Sequence, residues 1–264
     1  MPDSNDAGFE TLRVERRGDV DWVTLARPDA LNAMNALMIA ELAEYFGARV
    51  HDTATRVIVL RATGKAFCAG LDLREMNGLI EELDTAARLR FQQRLSSIFI
   101  AMRRCPQPIV CLVQGAAAGG GFALAPASDI RLCTPDTRMN AAFIKVGLSG
   151  CDVGMSYLLP RAVGTSVAAE MLFTGAVLDA QRAAALGFVS AVVDAADLEA
   201  AGQKCVDTLL HADPLGLALT KQGLQVGIDA PCLESAIANE DRQQSLLSGT
   251  AGFQERMRAF LRRK

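Results

Sequence analysis

Apolar and polar residues alternate over residues 9–14 and again over 20–25, on either side of Arg16-Arg17-Gly18-Asp19, and this spacing predicts two strands joined as a hairpin. Arg27-Pro28-Asp29-Ala30 breaks the alternation. Leu37, Ile39, Leu42, Tyr45 and Phe46 then recur at helical spacing and predict a helix over 36–50. Unbroken apolar runs at 56–61 and 108–113 predict buried strands, and a further strand is expected at 129–133. A long amphipathic pattern over 86–102 predicts a helix that Pro106-Gln107-Pro108 ends. Beyond Asp179 helical patterns dominate, broken by a short strand expected within 187–193, and three helices follow at 214–226, 233–247 and 253–263. Strands repeatedly separated by helices predict an α/β fold with several crossovers.

The most unusual stretch is Gly115-Ala-Ala-Ala-Gly-Gly-Gly-Phe-Ala-Leu-Ala125. Inside a helix each glycine costs ~1 kcal/mol relative to alanine. Gly119, Gly120 and Gly121 therefore mark a place where a ligand approaches the backbone, or where the chain needs unusual dihedrals. A helix starting at Phe122 would turn its free first-turn N–H groups toward whatever covers the glycines. That presents donors to an oxygen gaining negative charge. A tight, closely packed strand-to-helix turn accounts for the same residues without a ligand. Pro126 is expected to end the helix.

Composition removes several classes. A net charge of −3 lacks the basic excess of a nucleic-acid surface. The longest apolar stretch, 108–127, is interrupted by Gln114 and four glycines, which argues against a membrane span. Residues 1–10 are polar and acidic, unlike a secretory signal. Seven scattered cysteines without a C-x-x-C pair suggest reduced thiols and a cytoplasmic location. With His51 and His211 as the two histidines, both expected at the surface or in packing, neither a His-based triad nor a metal site is expected. The glycines do not form the G-x-G-x-x-G of dinucleotide-binding oxidoreductases.

Four segments stand together in order: 27–34, 64–76, the glycine cluster, and 147–164, followed by Leu172-Phe-Thr-Gly-Ala-Val-Leu-Asp-Ala-Gln181. Together they resemble the crotonase (enoyl-CoA hydratase/isomerase) superfamily over nearly the whole chain. The resemblance implies a spiral of repeated β-β-α units over residues 1–195, holding the CoA site and oxyanion hole. It also implies a helical C-terminal trimerisation region over 196–264, giving a homotrimer or a dimer of trimers. The implied substrate is an acyl-CoA or enoyl-CoA thioester of fatty acid metabolism, with coenzyme A as part of the substrate, no separate cofactor and no metal.

By the same resemblance the backbone N–H groups of Leu71 and Gly120 would form the oxyanion hole. Arg27, Ala30, Leu31, Lys65, Ala69 and Arg74 would bind CoA, with Arg27 and Lys65 replacing the lysine that relatives carry where this chain has Asp29. Ala123, Phe143 and Cys151 would line the acyl pocket. The family's hydratases use two glutamates, and here those positions read Ala123 and Phe143. Syn addition of water needs an acid and a base within reach of the reacting atoms, so two-glutamate hydration is not expected. The remaining carboxylate is Asp152, in a loop that looks like that of dienoyl-CoA isomerases. Among Leu148, Val153 and Met155 its pKa should rise toward base duty. Alternatively it caps a helix starting at Val153. Asp72 is expected to hold its loop, Glu75 to be solvated, and Cys68, Cys151 and Ser149 not to act as nucleophiles. The expectation is an isomerase-like enzyme. Hydration with a non-standard base, hydrolysis or dehalogenation through Asp152, and a non-catalytic acyl-CoA-binding protein are the alternatives.

Overall fold

The computed structural model describes residues 8–262. Residues 1–7 of the polar N-terminal stretch, and Arg263 and Lys264 of the basic end, lie outside the described residues. The chain runs β1 (Leu12–Arg17), β2 (Val20–Leu25), α1 (Ala36–Arg49), β3 (Val57–Ala62), α2 (Leu73–Glu82), α3 (Thr85–Arg104), β4 (Ile109–Val113), β5 (Ala116–Ala118), α4 (Gly120–Ala127), β6 (Ile130–Cys133) and β7 (Arg138–Asn140). It continues through α5 (Met155–Val163), α6 (Thr165–Thr174), β8 (Leu178–Asp179), α7 (Ala180–Ala185), β9 (Ala191–Val192), α8 (Leu198–Leu210), α9 (Pro214–Ile228), α10 (Leu233–Ser248) and α11 (Ala251–Leu261).

A six-stranded sheet has the order β1-β2-β3-β4-β6-β9. β1 pairs antiparallel with β2, and every later neighbour is parallel. Parallel strands covered on both faces need apolar side chains on both. One face packs Val23, Ile58, Leu60, Ile109 and Cys111 against α1 and α3. The other packs Trp22, Val57, Val59, Val110 and Leu112 under Leu198 and Val206 of α8.

A second, narrower layer follows the first strands. β5 pairs parallel with β7, and β7 antiparallel with β8. Single bridges extend this layer, Cys68 to Ala117 and Met34 to Leu71. Each turn of the spiral thus contributes a long strand to the large sheet and a short extended piece to the small one.

Several expected boundaries move, each for a visible reason. β1 begins at Leu12 rather than at residue 9, because the amides of Glu10, Thr11 and Leu12 donate to the Glu41 carboxylate instead of to a strand. The expected strand at 187–193 contracts to two residues, Ala191–Val192, after Gly187 (φ 69°) closes α7. α4 starts at Gly120, not Phe122, and continues past Pro126 to Ala127. So late in a helix, the proline's missing N–H removes a single intrahelical bond.

The C-terminal helices sit differently. In α9 the buried residue is Lys221, whose Nζ reaches Asp129 Oδ2 at 2.9 Å, Gln107 O at 2.8 Å and Met102 O at 3.0 Å. α10 and α11 bury none of their residues. No helix among the described residues is long and apolar enough to cross a membrane.

Candidate active site

The glycine cluster is built by close approach. Cys68 N–H donates to Ala116 O at 3.1 Å, and Ala118 N–H to Cys68 O at 2.9 Å. A Cβ at Gly121 would lie 2.2 Å from Cys68 O, and one at Gly70 would lie 2.7 Å from Ala118 O. One at Gly120 would lie 2.5 Å from Met34 Cε. Backbone oxygens exclude a side chain at Gly70 and Gly121, while at Gly120 the end of the flexible Met34 side chain would have to move, so the tight-turn reading of the cluster is correct as far as it goes.

The same packing gathers Leu71 and Gly120 around Met34. Met34 touches both: its N–H donates to Gly70 O at 2.7 Å, its carbonyl accepts from Asp72 N–H at 2.9 Å, and its methyl group lies against Gly120. Among the described residues, neither the Leu71 nor the Gly120 N–H donates a hydrogen bond. Gly120 is buried in the first turn of α4, where amides have no intrahelical acceptor. Buried amides are almost always paired, so the unpaired Gly120 N–H is open to an acceptor from outside the chain.

Phe143 and Ala123 complete this wall with hydrocarbon. The Phe143 ring lies 3.4–3.8 Å from where a Gly119 Cβ would stand, and Ala123 is fully buried in α4. Cys68 is buried, and burial pushes its thiol up to about 12, so it is no nucleophile. Cys151, expected beside the acyl pocket, is exposed.

Asp152 is half-buried. Burial raises its pKa, opposed by two hydrogen bonds to the ionised form. Both bonds fall on Oδ1: Val153 N–H at 2.7 Å and Gln92 Nε2 of α3 at 2.6 Å. The helix-cap alternative is corrected here. α5 begins at Met155 with Gly154 as its N-cap, and no side chain caps it. Val153, expected to start that helix, stands at φ 41°, a left-handed conformation that is strained for a β-branched residue. Gln92 is the group that sequence reasoning missed; one polar residue on a helix full of Arg and Gln gives no signal of its own.

The segment proposed for CoA is a turn over Pro28–Ala30, followed by Leu31 and Asn32 at φ 53° and 54°. Asn32, also missed, clamps it: its side chain accepts from Arg27 N–H at 2.8 Å and donates to Thr63 O and Ala66 O at 2.8 and 2.9 Å. Leu31 O accepts Ala69 N–H at 3.0 Å, which joins this turn to the 67–76 loop. Arg27 is committed inside the fold, pairing with Asp72 at 2.9 Å and with Glu75. Burial pushes the Asp72 carboxyl up, but Arg27 and the Glu75 and Arg74 amides outweigh that and hold it below the usual range. Asp72 holds its loop, as expected, while Glu75 is not merely solvated but shared between Arg27 and Asn35. Lys65 and Arg74 are exposed and form no ion pair among the described residues.

A cavity of about 870 Å³ lies between α3, α5 and α9, lined by Phe99, Leu158, Tyr157 and Leu224. It reaches Val153 and Gly154 behind Asp152 but touches neither Leu71 nor Gly120. Among the described residues no group of His, Cys, Asp and Glu is placed to hold a metal ion.

Comparison with known proteins converges on one family. A family model for enoyl-CoA hydratase/isomerase matches residues 15–264. A "Probable enoyl-CoA hydratase" of Mycobacterium bovis is 34% identical over 248 residues, covering 92% of this chain and 87% of the relative. The 1,2-epoxyphenylacetyl-CoA isomerase of Escherichia coli is 31% identical, covering 92% of each chain. The crystal structure of an enoyl-CoA hydratase from Mycobacterium smegmatis superposes with a TM-score of 0.89 at 32% identity, covering 97% of each chain.

Proposed function

The chain belongs to the enoyl-CoA hydratase/isomerase family, and from that premise we propose that it relocates a proton within an enoyl-CoA thioester, with Asp152 as the base and the Leu71 and Gly120 amides as the oxyanion hole. The observation that carries this reading is the distribution of proton carriers. Ala123 and Phe143 offer none, while Asp152 is half-buried with its pKa raised and one carboxylate oxygen unengaged among the described residues. Two-carboxylate hydration has no acid–base pair to use here; a shift of one proton needs a single base.

In the proposed step the carbonyl oxygen of a β,γ-unsaturated acyl-CoA sits between the two amides. Asp152 removes a proton from the α-carbon, and the C–H electron pair becomes a dienolate whose charge rests largely on that oxygen. Preorganised N–H donors stabilise such a charge, and losing one typically costs ~3 kcal/mol. The protonated Asp152 then returns its proton to the γ-carbon, leaving the double bond conjugated with the thioester. Burial, which raises the Asp152 pKa, favours both halves in the same direction, since it makes the carboxylate a stronger base and lets the acid form persist to return the proton.

Lys65 and Arg74 are the uncommitted cations proposed to meet the CoA phosphates, with Ala30, Leu31 and Ala69 lining the nucleotide side. Arg27 would act indirectly, by fixing the loop through Asp72. Coenzyme A would enter as part of the substrate, with no separate cofactor. Exposed Leu224, Ile228, Leu233, Phe260 and Leu261 on the last three helices support a homotrimer or a dimer of trimers. Four buried, unpaired cysteines fit a reducing cytoplasm and a role in fatty acid metabolism.

The test is a panel of α,β- and β,γ-unsaturated acyl-CoAs followed by absorbance and product mass. Conversion between positional isomers is the expected result. Addition of water would replace this reading with hydration, and tight binding without turnover of any substrate would replace it with an acyl-CoA-binding protein.

A further inference from the structure

Gln92 lies on the buried side of α3, seven residues inside its N-terminus, and its amide nitrogen meets Asp152 Oδ1 at 2.6 Å. The same oxygen accepts Val153 N–H at 2.7 Å. Oδ2 accepts no hydrogen bond among the described residues. We propose that Gln92 is a positioning residue for proton transfer: it pins one oxygen of Asp152, so that the other is the atom that carries the proton. This inference rests on Asp152 being the base.

A carboxylate turns easily about its terminal torsion, whose rotamer wells are broad. Two donors on one oxygen remove that freedom. Their supports are rigid for different reasons. Val153 offers its N–H from a strained left-handed conformation (φ 41°), which the surrounding loop enforces. Gln92 offers its amide from a 20-residue helix packed against α1 and α4. With one oxygen held, both removal and return of a proton pass through the free one. The migrating hydrogen then stays on a single face of the dienolate and can be carried from α- to γ-carbon without leaving the site.

A neutral amide suits this task better than a charged partner. Arg or Lys at residue 92 would pin the oxygen but stabilise the anion until it was a weak base. No ionised side chain takes part in shifting Asp152; burial, Val153 and Gln92 do. The charged groups on the surrounding elements are hydrogen-bonded, ion-paired or exposed to solvent. α4 carries none. On α3, Arg88 donates to the carbonyls of Leu83 and Glu81, Arg103 pairs with Asp129, and Arg90, Arg94 and Arg104 are exposed. Arg161 of α5 pairs with Asp229, and Glu170 of α6 with Arg182. Lys145 lies along Gly175.

Two measurements on the full-length protein test the assignment. The first is the pH profile of kcat/KM with a β,γ-unsaturated hexenoyl-CoA for wild type, Gln92→Leu, Gln92→Glu and Asp152→Asn. Gln92→Leu should lower kcat about tenfold with little change in KM, since the lost contact is to the base and not to the substrate. It should also move the acid limb up by roughly one pH unit, because a bond to the ionised form is gone. Gln92→Glu should move it further, because two carboxylates would share the site. The second is an NMR titration of isotope-labelled aspartate, with the Asp152 signal assigned by its absence in Asp152→Asn. It needs no turnover, and the Asp152 midpoint should rise in the same order. Near-normal turnover by Asp152→Asn would overturn the base reading and the role of Gln92 with it. An inactive Asp152→Asn beside a Gln92→Leu whose limb and titration match wild type would overturn the role of Gln92 alone.

Discussion

α4 and α11 are short helices with opposite fates. α4 buries all eight of its residues, and α11 buries none of its eleven. α4 carries no polar side chain; its glycines let Met34, Cys68 and Phe143 close over it from three sides. α11 exposes Phe260 and Leu261 yet has polar residues such as Gln254, Glu255, Arg256 and Arg258 around them. Burying a side chain of that size is worth roughly 1.5–3 kcal/mol, and α4 collects this within the chain while α11 does not. One helix is finished by its own fold. The other has apolar surface to offer to a second protein surface, which matches the proposed oligomer.

The sharpest way to break the contrast is Gly121→Ala. Its Cβ would meet Cys68 O at 2.2 Å, a backbone atom that cannot turn away. Overpacking of this kind should cost ~3 kcal/mol or more, read as a large fall in Tm and loss of activity. Next comes Asp152→Asn, expected to lower kcat by about a hundredfold or more while raising Tm at neutral pH. The sign follows from burial. A carboxyl whose pKa is raised in the folded state favours folding while protonated, below the unfolded-state value, and loses that contribution as pH rises through the folded-state value. Asparagine cannot ionise, so its advantage should disappear in acid. Unchanged activity in this variant would sink the mechanism.

Phe143→Ala should cost about 2–3 kcal/mol, less than a deep-core truncation because the ring borders the site. It should also widen acceptance of branched or bulky acyl groups, seen as a changed ranking of kcat/KM across the substrate panel. The smallest effect on the single chain belongs to Leu261→Ser. An exposed position should shift unfolding by no more than ~0.5 kcal/mol in dilute monomer, yet reduce the mass measured by light scattering. A large stability loss in the monomer would mean that α11 is internally packed after all.

The large sheet was legible because burial on both faces leaves unbroken runs such as Val57–Leu60 and Ile109–Val113. The small layer was not. β5 is three alanines, β7 and β8 are two or three residues long, and two of its rungs are lone bridges. Elements that short carry no period, and only the register of neighbouring chains creates them. In the site, the glycines announced themselves by type, whereas Gln92 and Asn32 depend on partners 60 and 31–34 residues away. The position of Asp152 was readable; that its carboxylate faces Gln92 instead of capping α5 followed from Val153 adopting a conformation its residue type disfavours.

Building the proposed oxyanion hole from main-chain amides has a consequence that reaches past this chain. A main-chain nitrogen is specified by no codon, and short of proline no point mutation deletes it. In the proposed site, leucine at residue 71 would therefore serve as well as any smaller residue, and neighbouring acids could be gained or discarded over generations while the charge-stabilising amides were inherited intact. New reactions can arise on such a scaffold by revising only who carries the proton.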